Sequence, residues 1–382
     1  MIDLGKRHGS EGKILTAGCL LVTCVLLSAC KHSSSSTVVM DSKGLWIANG
    51  ANVVEYIPSQ LTAGVAATVP HLAINSAAFG APQGVTFDSA GNLWVIDPAG
   101  VVNGVKDTPA MFKFSAAQLA ALGTNDAPTP EAIITSTGMA NPQQSVFDAA
   151  GNQWVANHDA NAILVYTAAQ VALMGDNPTV PAITLTSGSF NGPLGIAFDS
   201  AGNLWVANNG GVAGANGAAA SATGTSIVEF TAAHLGTVPA TGTLSPDLTP
   251  DITLTDDGNG SIQGPWQLSF DANGNLWSSN ASPPNTLVQF SKAQLAASAM
   301  PVPAVTISPV TDMGNATLAA PNGLCLDPNG DVAATSSATP FALSIYGKGQ
   351  LATGAVMPST FIVGAATTLN ATAGCNFGPV VN

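Results

Sequence analysis

The sequence predicts an all-β fold, a six-bladed β-propeller of four-stranded antiparallel blades, on three observations. First, the phrase Phe87-Asp88-Ser89-Ala90-Gly91-Asn92-Leu93-Trp94-Val95 returns from Phe147, from Phe198 and from Phe270, with weaker copies from Met40 and Leu326. Six copies at spacings of roughly 50 to 70 residues mark a radial or solenoid array rather than one irregular core. Second, each repeat carries short runs rich in Val, Ile, Thr and aromatics, bounded by Gly, Pro, Asn and Asp, which is strand chemistry. Third, Asp-x-x-Gly-Asn between two such runs is a hairpin turn, in which Asp accepts nearby N–H groups and Gly supplies a positive φ. Four strands repeated six times close radially into a propeller, which leaves only short, protected edges.

Strand a of each repeat ends in Phe-Asp, and strand b opens with Leu-Trp-Val-Ala. Strand c ends in an aromatic: Tyr56, Phe114, Tyr166, Phe230, Phe290 and Tyr346. A link such as Ser115-Ala116-Ala117-Gln118-Leu119 follows. Strand d is led by proline, at Pro70, Pro130, Pro181, Pro250, Pro303 and Pro358. Proline at the first residue of an outer strand costs no ladder hydrogen bond. The repeated Trp and Phe are expected to pack blade against blade. The C-terminal residues 376–382 resemble 191–198 and read as the start of a seventh strand a, which joins or replaces the short strand 37–40. The connections 97–110 and 208–225 are the longest between strands b and c and are expected as loops on one face.

The chain divides into a signal segment 1–29, a tether 30–36 and the propeller 37–382. Lys6, Arg7 and Lys13 precede an apolar stretch from 14 to 27, the pattern of a secretory signal. Leu27-Ser28-Ala29-Cys30 resembles a bacterial lipobox. That resemblance implies cleavage before Cys30, its lipidation, and, with Lys31 next, an outer-membrane address in the cell envelope. Acyl chains alone would then hold the protein to the membrane. Acids outnumber bases 22 to 9, and the one arginine is Arg7. Nucleic acid is excluded as a partner, because no basic face exists to release counterions. A monomer is expected. Cys325 and Cys375 remain after cleavage, in an oxidising compartment. A disulfide between them would staple the ring, and two buried thiols are the alternative.

The strand–turn–strand phrase resembles NHL-type repeats, and is similar to the propellers of streptogramin lyase and of the regucalcin/gluconolactonase group. The resemblance covers nearly all of residues 37–382. It implies either a partner-binding module or a metal-dependent enzyme. In such propellers ligands bind on the face that carries the b–c loops. The ligand-face candidates are therefore Asn49, Asp97, Asn157, Asn208 and Asn280, which end strand b, together with Asn322. Asn322 stands in Pro321-Asn322-Gly323, an element that resembles one supplying an Asn ligand in gluconolactonase-like sites. The metal candidates are Asn322, Asn208 and Asp97. Only Glu55, Glu131 and Glu229 follow the signal, and none occupies the first-ligand position. His158, after the end of a strand b, is the candidate general base.

The leading reading is a non-catalytic binding module for a protein or glycan, with no cofactor. The alternative is a lactonase- or lyase-like enzyme with a divalent cation.

Overall fold

The computed structural model describes residues 43–62, 68–210, 225–236, 248–364 and 367–381. The expected signal segment, Cys30, the tether and strand 37–40 lie outside these residues, as does most of the 208–225 connection.

Six blades ring a central channel. From the channel outward, blade one comprises Thr372–Pro379, Lys43–Asn49, Asn52–Tyr56 and Leu72–Ile74. Blade two comprises Gly84–Phe87, Leu93–Val102, Val105–Phe114 and Ala132–Thr135. Blade three comprises Pro142–Phe147, Gln153–Asn157, Ala162–Tyr166 and Ile183–Thr186. Blade four comprises Pro193–Phe198, Leu204–Asn208, Ser226–Phe230 and Ile252–Thr255. Blade five comprises Pro265–Phe270, Leu276–Asn280, Leu287–Phe290 and Val305–Ser308. Blade six comprises Pro321–Leu326, Val332–Ser336, Ala342–Tyr346 and Thr360–Val363.

The core lies between blades, so strands b and c are covered on both faces and read as continuous apolar runs. Four of the five repeated Trp pack on the Phe of the next blade, and Trp277 meets Leu326 in that place. The ring centroids are 5.6 Å apart for Trp46–Phe87, 6.2 Å for Trp94–Phe147, 5.5 Å for Trp154–Phe198 and 6.0 Å for Trp205–Phe270. Tilted and edge-on pairs of this kind add about 1 kcal/mol to the area they bury.

The turn phrase is a small machine. Asp88 Oδ1 accepts the N–H groups of Ala90 and Asn92, both at 3.0 Å. Its Oδ2 accepts Asn92 Nδ2 at 2.8 Å and Trp94 Nε1 at 3.1 Å. Asn92 Oδ1 in turn accepts Ala116 N, 2.9 Å away, in the helical turn that follows strand c. One carboxylate and one amide thus fix a turn, an indole and the next link. These turns define the lower face of the ring.

One expectation is corrected here. Residues 97–110 are not a loop but a continuation of strands b and c, with Asp97 opposite Ala110 and Gly100 opposite Thr108. The tip is Asn103-Gly104, both at positive φ (51° and 78°). Asn-Gly matches the twist of a two-residue hairpin, so the signal was present in the sequence.

Outer edges are covered. The short segments Asn125–Asp126, Gly175–Pro178 and Gly354–Ala355 each add a parallel strand to the preceding blade. Such additions remove the unpaired groups that would recruit other chains.

The ring closes through Thr372–Pro379, which runs antiparallel to Lys43–Asn49 with Leu45 opposite Phe377 and Ile47 opposite Cys375. Cys375 on this strand is bonded to Cys325 on the innermost strand of blade six, Sγ to Sγ 2.03 Å.

Glu55 sits beneath the closing strand, fully buried, with Oε1 accepting Val381 N at 3.2 Å. Burial pushes its pKa up from 4.5 to about 7, and the Val381 N–H offsets this only in part. The folded state therefore holds a proton that the unfolded chain releases between about pH 4.5 and 7, so this group's stabilisation is present below that window and is lost as pH rises through it. Glu55→Gln keeps the carbonyl acceptor and removes the titration. Between about pH 5 and pH 8 the wild type should lose roughly 2–3 kcal/mol relative to Glu55→Gln, read from urea midpoints. Parallel pH profiles for the two proteins would refute this.

Candidate functional site

The polar residues that end strand b stand at the upper rim of the ring, where the sequence places them. Their side chains are engaged by backbone groups. Asp97 Oδ2 accepts Gly80 N at 2.8 Å, and its Oδ1 accepts Ala81 N at 3.0 Å and Ala99 N at 2.9 Å. Asn157 accepts Ala140 N at 2.7 Å and donates to Gly138 O at 2.8 Å. Asn208 accepts Asn191 N at 3.0 Å and donates to Ser189 O and Ser226 Oγ, both at 2.9 Å. Asn280 accepts Gln263 N at 3.2 Å. In blade six Ser336 Oγ accepts Ala319 N at 3.1 Å.

The spacing is constant: the clamped N–H lies 17 residues before the clamping side chain in blades two to six. Blade one makes the same contact across the chain ends, where Asn49 Oδ1 accepts Asn370 N at 2.6 Å. The ring of amides is thus a ring of loop clamps. Each holds the connection entering its own blade, and its lone pairs are spent on backbone that would otherwise be buried unpaired.

The metal set Asn322, Asn208 and Asp97 does not fit a cation. Asp97 and Asn208 are engaged as above, and burial raises the Asp97 pKa against three opposing N–H groups. Asn322 lies on the innermost strand of blade six, where its backbone carbonyl accepts Ser279 Oγ at 2.8 Å. No three His, Cys, Asp or Glu side chains gather at one point among the described residues. His158 is buried, with Nδ1 2.6 Å from Asp159 Oδ1. Its Nε2 has no hydrogen-bond partner among the described residues and is enclosed by protein, so a substrate has no path to it as a base.

The channel offers a different site. Its lower half is a cavity of ≈ 380 Å³ lined by all six innermost strands. Phe87, Phe147, Phe198, Phe270 and Leu326 rim the lower mouth. Above them the lining is uncharged and mixed: the polar side chains Thr86, Gln144, Ser145, Gln267, Ser269 and Asn376 stand among apolar ones such as Val85, Val146, Ile196 and Leu324.

One level sets the waist. Gly84, Gly195, Gly323 and Gly374 stand there because neighbouring strands abut: a Cβ on Gly195 would lie 2.0 Å from Trp266 O, and one on Gly84 2.5 Å from Gln143 O. Gln144 and Gln267 hold the same position in blades three and five. Gln267 is committed to the ring seam, since its Oε1 accepts Leu324 N at 3.0 Å and Cys375 N at 3.2 Å while its Nε2 donates to Cys375 O at 2.9 Å. Gln144 is 6% exposed, and its Nε2 has no acceptor among the described residues. Sequence reasoning missed both glutamines. Their signal is that they replace the glycine found at this place in the other four repeats.

No family model matches the chain, and no curated protein matches it in sequence. Solved structures do resemble it. A chain of a nidogen/laminin complex is 14% identical with a TM-score of 0.52, over 89% of this chain and 100% of that one. The periplasmic gluconolactonase of Pseudomonas aeruginosa is 12% identical with a TM-score of 0.50, over 88% of this chain and 99% of that one. A streptogramin B lyase is 12% identical with a TM-score of 0.40, over 80% of this chain and 71% of that one. The likeness to the first two is one of fold, the β-propeller, and a fold alone does not assign a function.

Proposed function

We propose that this chain is a non-catalytic glycan-binding module, held at a bacterial cell envelope by acyl chains on Cys30. The observation that supports this reading is the lining of the channel. Its polar groups are amides and hydroxyls, which bind sugar hydroxyls in either direction and do not ionise near neutral pH. Acid–base catalysis needs a group whose pKa lies near the working pH, and the lining provides none. Besides Gln267, which is committed to the seam, Gln144 alone brings a side chain into the level where four blades carry glycine, which makes the lining asymmetric as a single bound ligand requires. A cavity of ≈ 380 Å³ admits a sugar ring or two, whereas a folded protein partner needs an extended surface.

Two measurements test this. Thermal unfolding in EDTA and then with Ca²⁺, Mg²⁺, Mn²⁺ or Zn²⁺ should give one melting temperature. An ion at 100 times its dissociation constant would add about 2.7 kcal/mol, and such a shift would favour the metal-dependent alternative. Titration calorimetry with chitohexaose and with oligogalacturonate should detect binding of at least one. Gln144→Ala should weaken it about tenfold, as expected for the loss of one buried hydrogen bond. No binding of either, or binding indifferent to Gln144, would overturn the channel site.

A further inference from the structure

The exposed apolar side chains of the ring are not scattered. Among the described residues nine large apolar side chains are exposed, and seven of them lie in the connections from strand c to strand d. These connections leave strand c beside the Asp-x-x-Gly-Asn turns, as the bonds from Ala116 N, Ala168 N and Lys292 N to the turn asparagines show, so they begin on the lower face. Four of the seven occupy one repeated position, the residue before the strand-d proline: Val69, Val180, Val302 and Met357. In each case the backbone carbonyl accepts the side-chain amide of the link glutamine, Gln60, Gln170, Gln294 or Gln350, at 2.5 to 3.2 Å. The repeat thus fixes the four at one level, with their side chains 50% to 78% exposed. Leu173, Met174 and Met300 stand in the same connections.

A second apolar set shares this face, since the Phe and Leu side chains that rim the lower mouth of the channel are half-buried. The upper face exposes only Val105 and Met313 among the described large apolar side chains. Single exposed apolar residues need no explanation, but a set held at one level around a ring is complementary to a plane. The chain also enters here. Lys43 pairs with Pro379 at the lower end of its strand. Thirteen residues separate Lys43 from Cys30, a reach of about 45 Å when fully extended. Acyl chains on Cys30 would therefore keep the lower face close to a bilayer, where a tethered contact needs little affinity of its own.

We infer that the ring lies lower face down on the lipid bilayer, with the c–d perimeter dipped into the head-group boundary. The inference rests on the envelope reading above and adds the lipid surface as a partner of the propeller itself. The contact is apolar rather than electrostatic, because Lys43 and Lys348 stand among Asp271, Asp327 and Asp331 and select no anionic lipid. The lower mouth of the channel then faces the head groups.

Four methionines supply the test. Met174, Met300 and Met357 stand in the c–d connections, 56%, 65% and 50% exposed, and Met313 stands in an upper-face hairpin at 57%. Hydroxyl radicals generated in water oxidise methionine where solvent reaches it. The acylated protein, reconstituted into vesicles of phosphatidylcholine and phosphatidylethanolamine, is compared with the unanchored chain 31–382 by mass spectrometry. Oxidation of Met174, Met300 and Met357 should fall about fivefold on the vesicles, as for contact in about four-fifths of the molecules, and Met313 should not change. Added salt should leave this protection in place. Val180→Asp/Val302→Asp, which alters only exposed side chains, should return Met174 and Met300 to the unanchored rate. Equal oxidation in both forms, protection of Met313 instead, protection lost in salt, or protection unchanged in the aspartate variant would overturn the inference. Protection already present in the unanchored chain, at doubled mass in light scattering, would assign the perimeter to a second copy of the chain. Acyl chains found by intact mass without protection would remove this pose alone, and an unacylated Cys30 would remove the anchor with it.

Discussion

Deletion of residues 376–382 is expected to lower the melting temperature sharply, by more than any single substitution in the ring. The deletion takes away four of the closing strand's six paired positions, from Trp46–Asn376 to Lys43–Pro379. The Trp46 indole loses its acceptor, Pro379 O at 3.1 Å, in the middle of an inter-blade core. His71 loses Val381 O at 2.8 Å, and Glu55 loses the Val381 N–H. Losing the apolar burial that Phe377 and Val381 contribute costs roughly 2 kcal/mol each, and each abandoned buried polar group about 1–3 kcal/mol more. The sum is comparable with the whole net stability of a typical domain, about 5–15 kcal/mol. Calorimetric or circular-dichroism melting reads the result. An unchanged melting temperature would mean that the ring does not depend on its last strand. Cys375 is kept in this variant, so the experiment isolates the strand from the disulfide.

The fold was legible because the residues that recur are the ones with mechanical work in every blade. Asp88, Asn92 and Trp94 hold one another, and their counterparts Asp148, Asn152 and Trp154 do the same, with Asn152 Nδ2 to Asp148 Oδ2 at 2.8 Å. Such sets can only recur together, and the period exposes them. The strand-end asparagines were legible as a ring for the same reason, but their task was not. Whether Asn157 faces a ligand or Ala140 N depends on where a loop 17 residues earlier returns, and residue types do not state that. Periodicity argues for scaffold, because a ligand needs a side chain in one place rather than in every blade. The informative positions are departures: Gln144 where other blades carry Gly, and Gln289 displacing the Trp277 indole from its usual aspartate. Of these, Gln144 stands in the channel rather than at the upper rim.

The second large effect concerns the seam itself. Cys325 and Cys375 are separated by 50 residues and join the innermost strands of blades six and one. Closing a loop of that length removes chain entropy from the unfolded state worth about 4 kcal/mol, before any native strain is subtracted. The double variant Cys325→Ala/Cys375→Ala should therefore melt roughly 10 °C lower, at about 2–4 °C per kcal/mol for a chain of this size class. Its native ring should survive at moderate temperature, because Gln267 still ties the same strands through Leu324 N and Cys375 N, which alanine retains. Thiol counting on unfolded, unreduced mature protein should find none of the Cys325 and Cys375 sulfurs free. Two free thiols, or an unaltered melting temperature in the variant, would remove the bond from the account of stability. The strand and the bond act on one seam, so their losses should not add. A chain lacking both should fall short of the summed penalties by an interaction of about 1–3 kcal/mol. Strict additivity would mean that strand and disulfide stabilise separate parts of the ring, and that closure is not a single cooperative event.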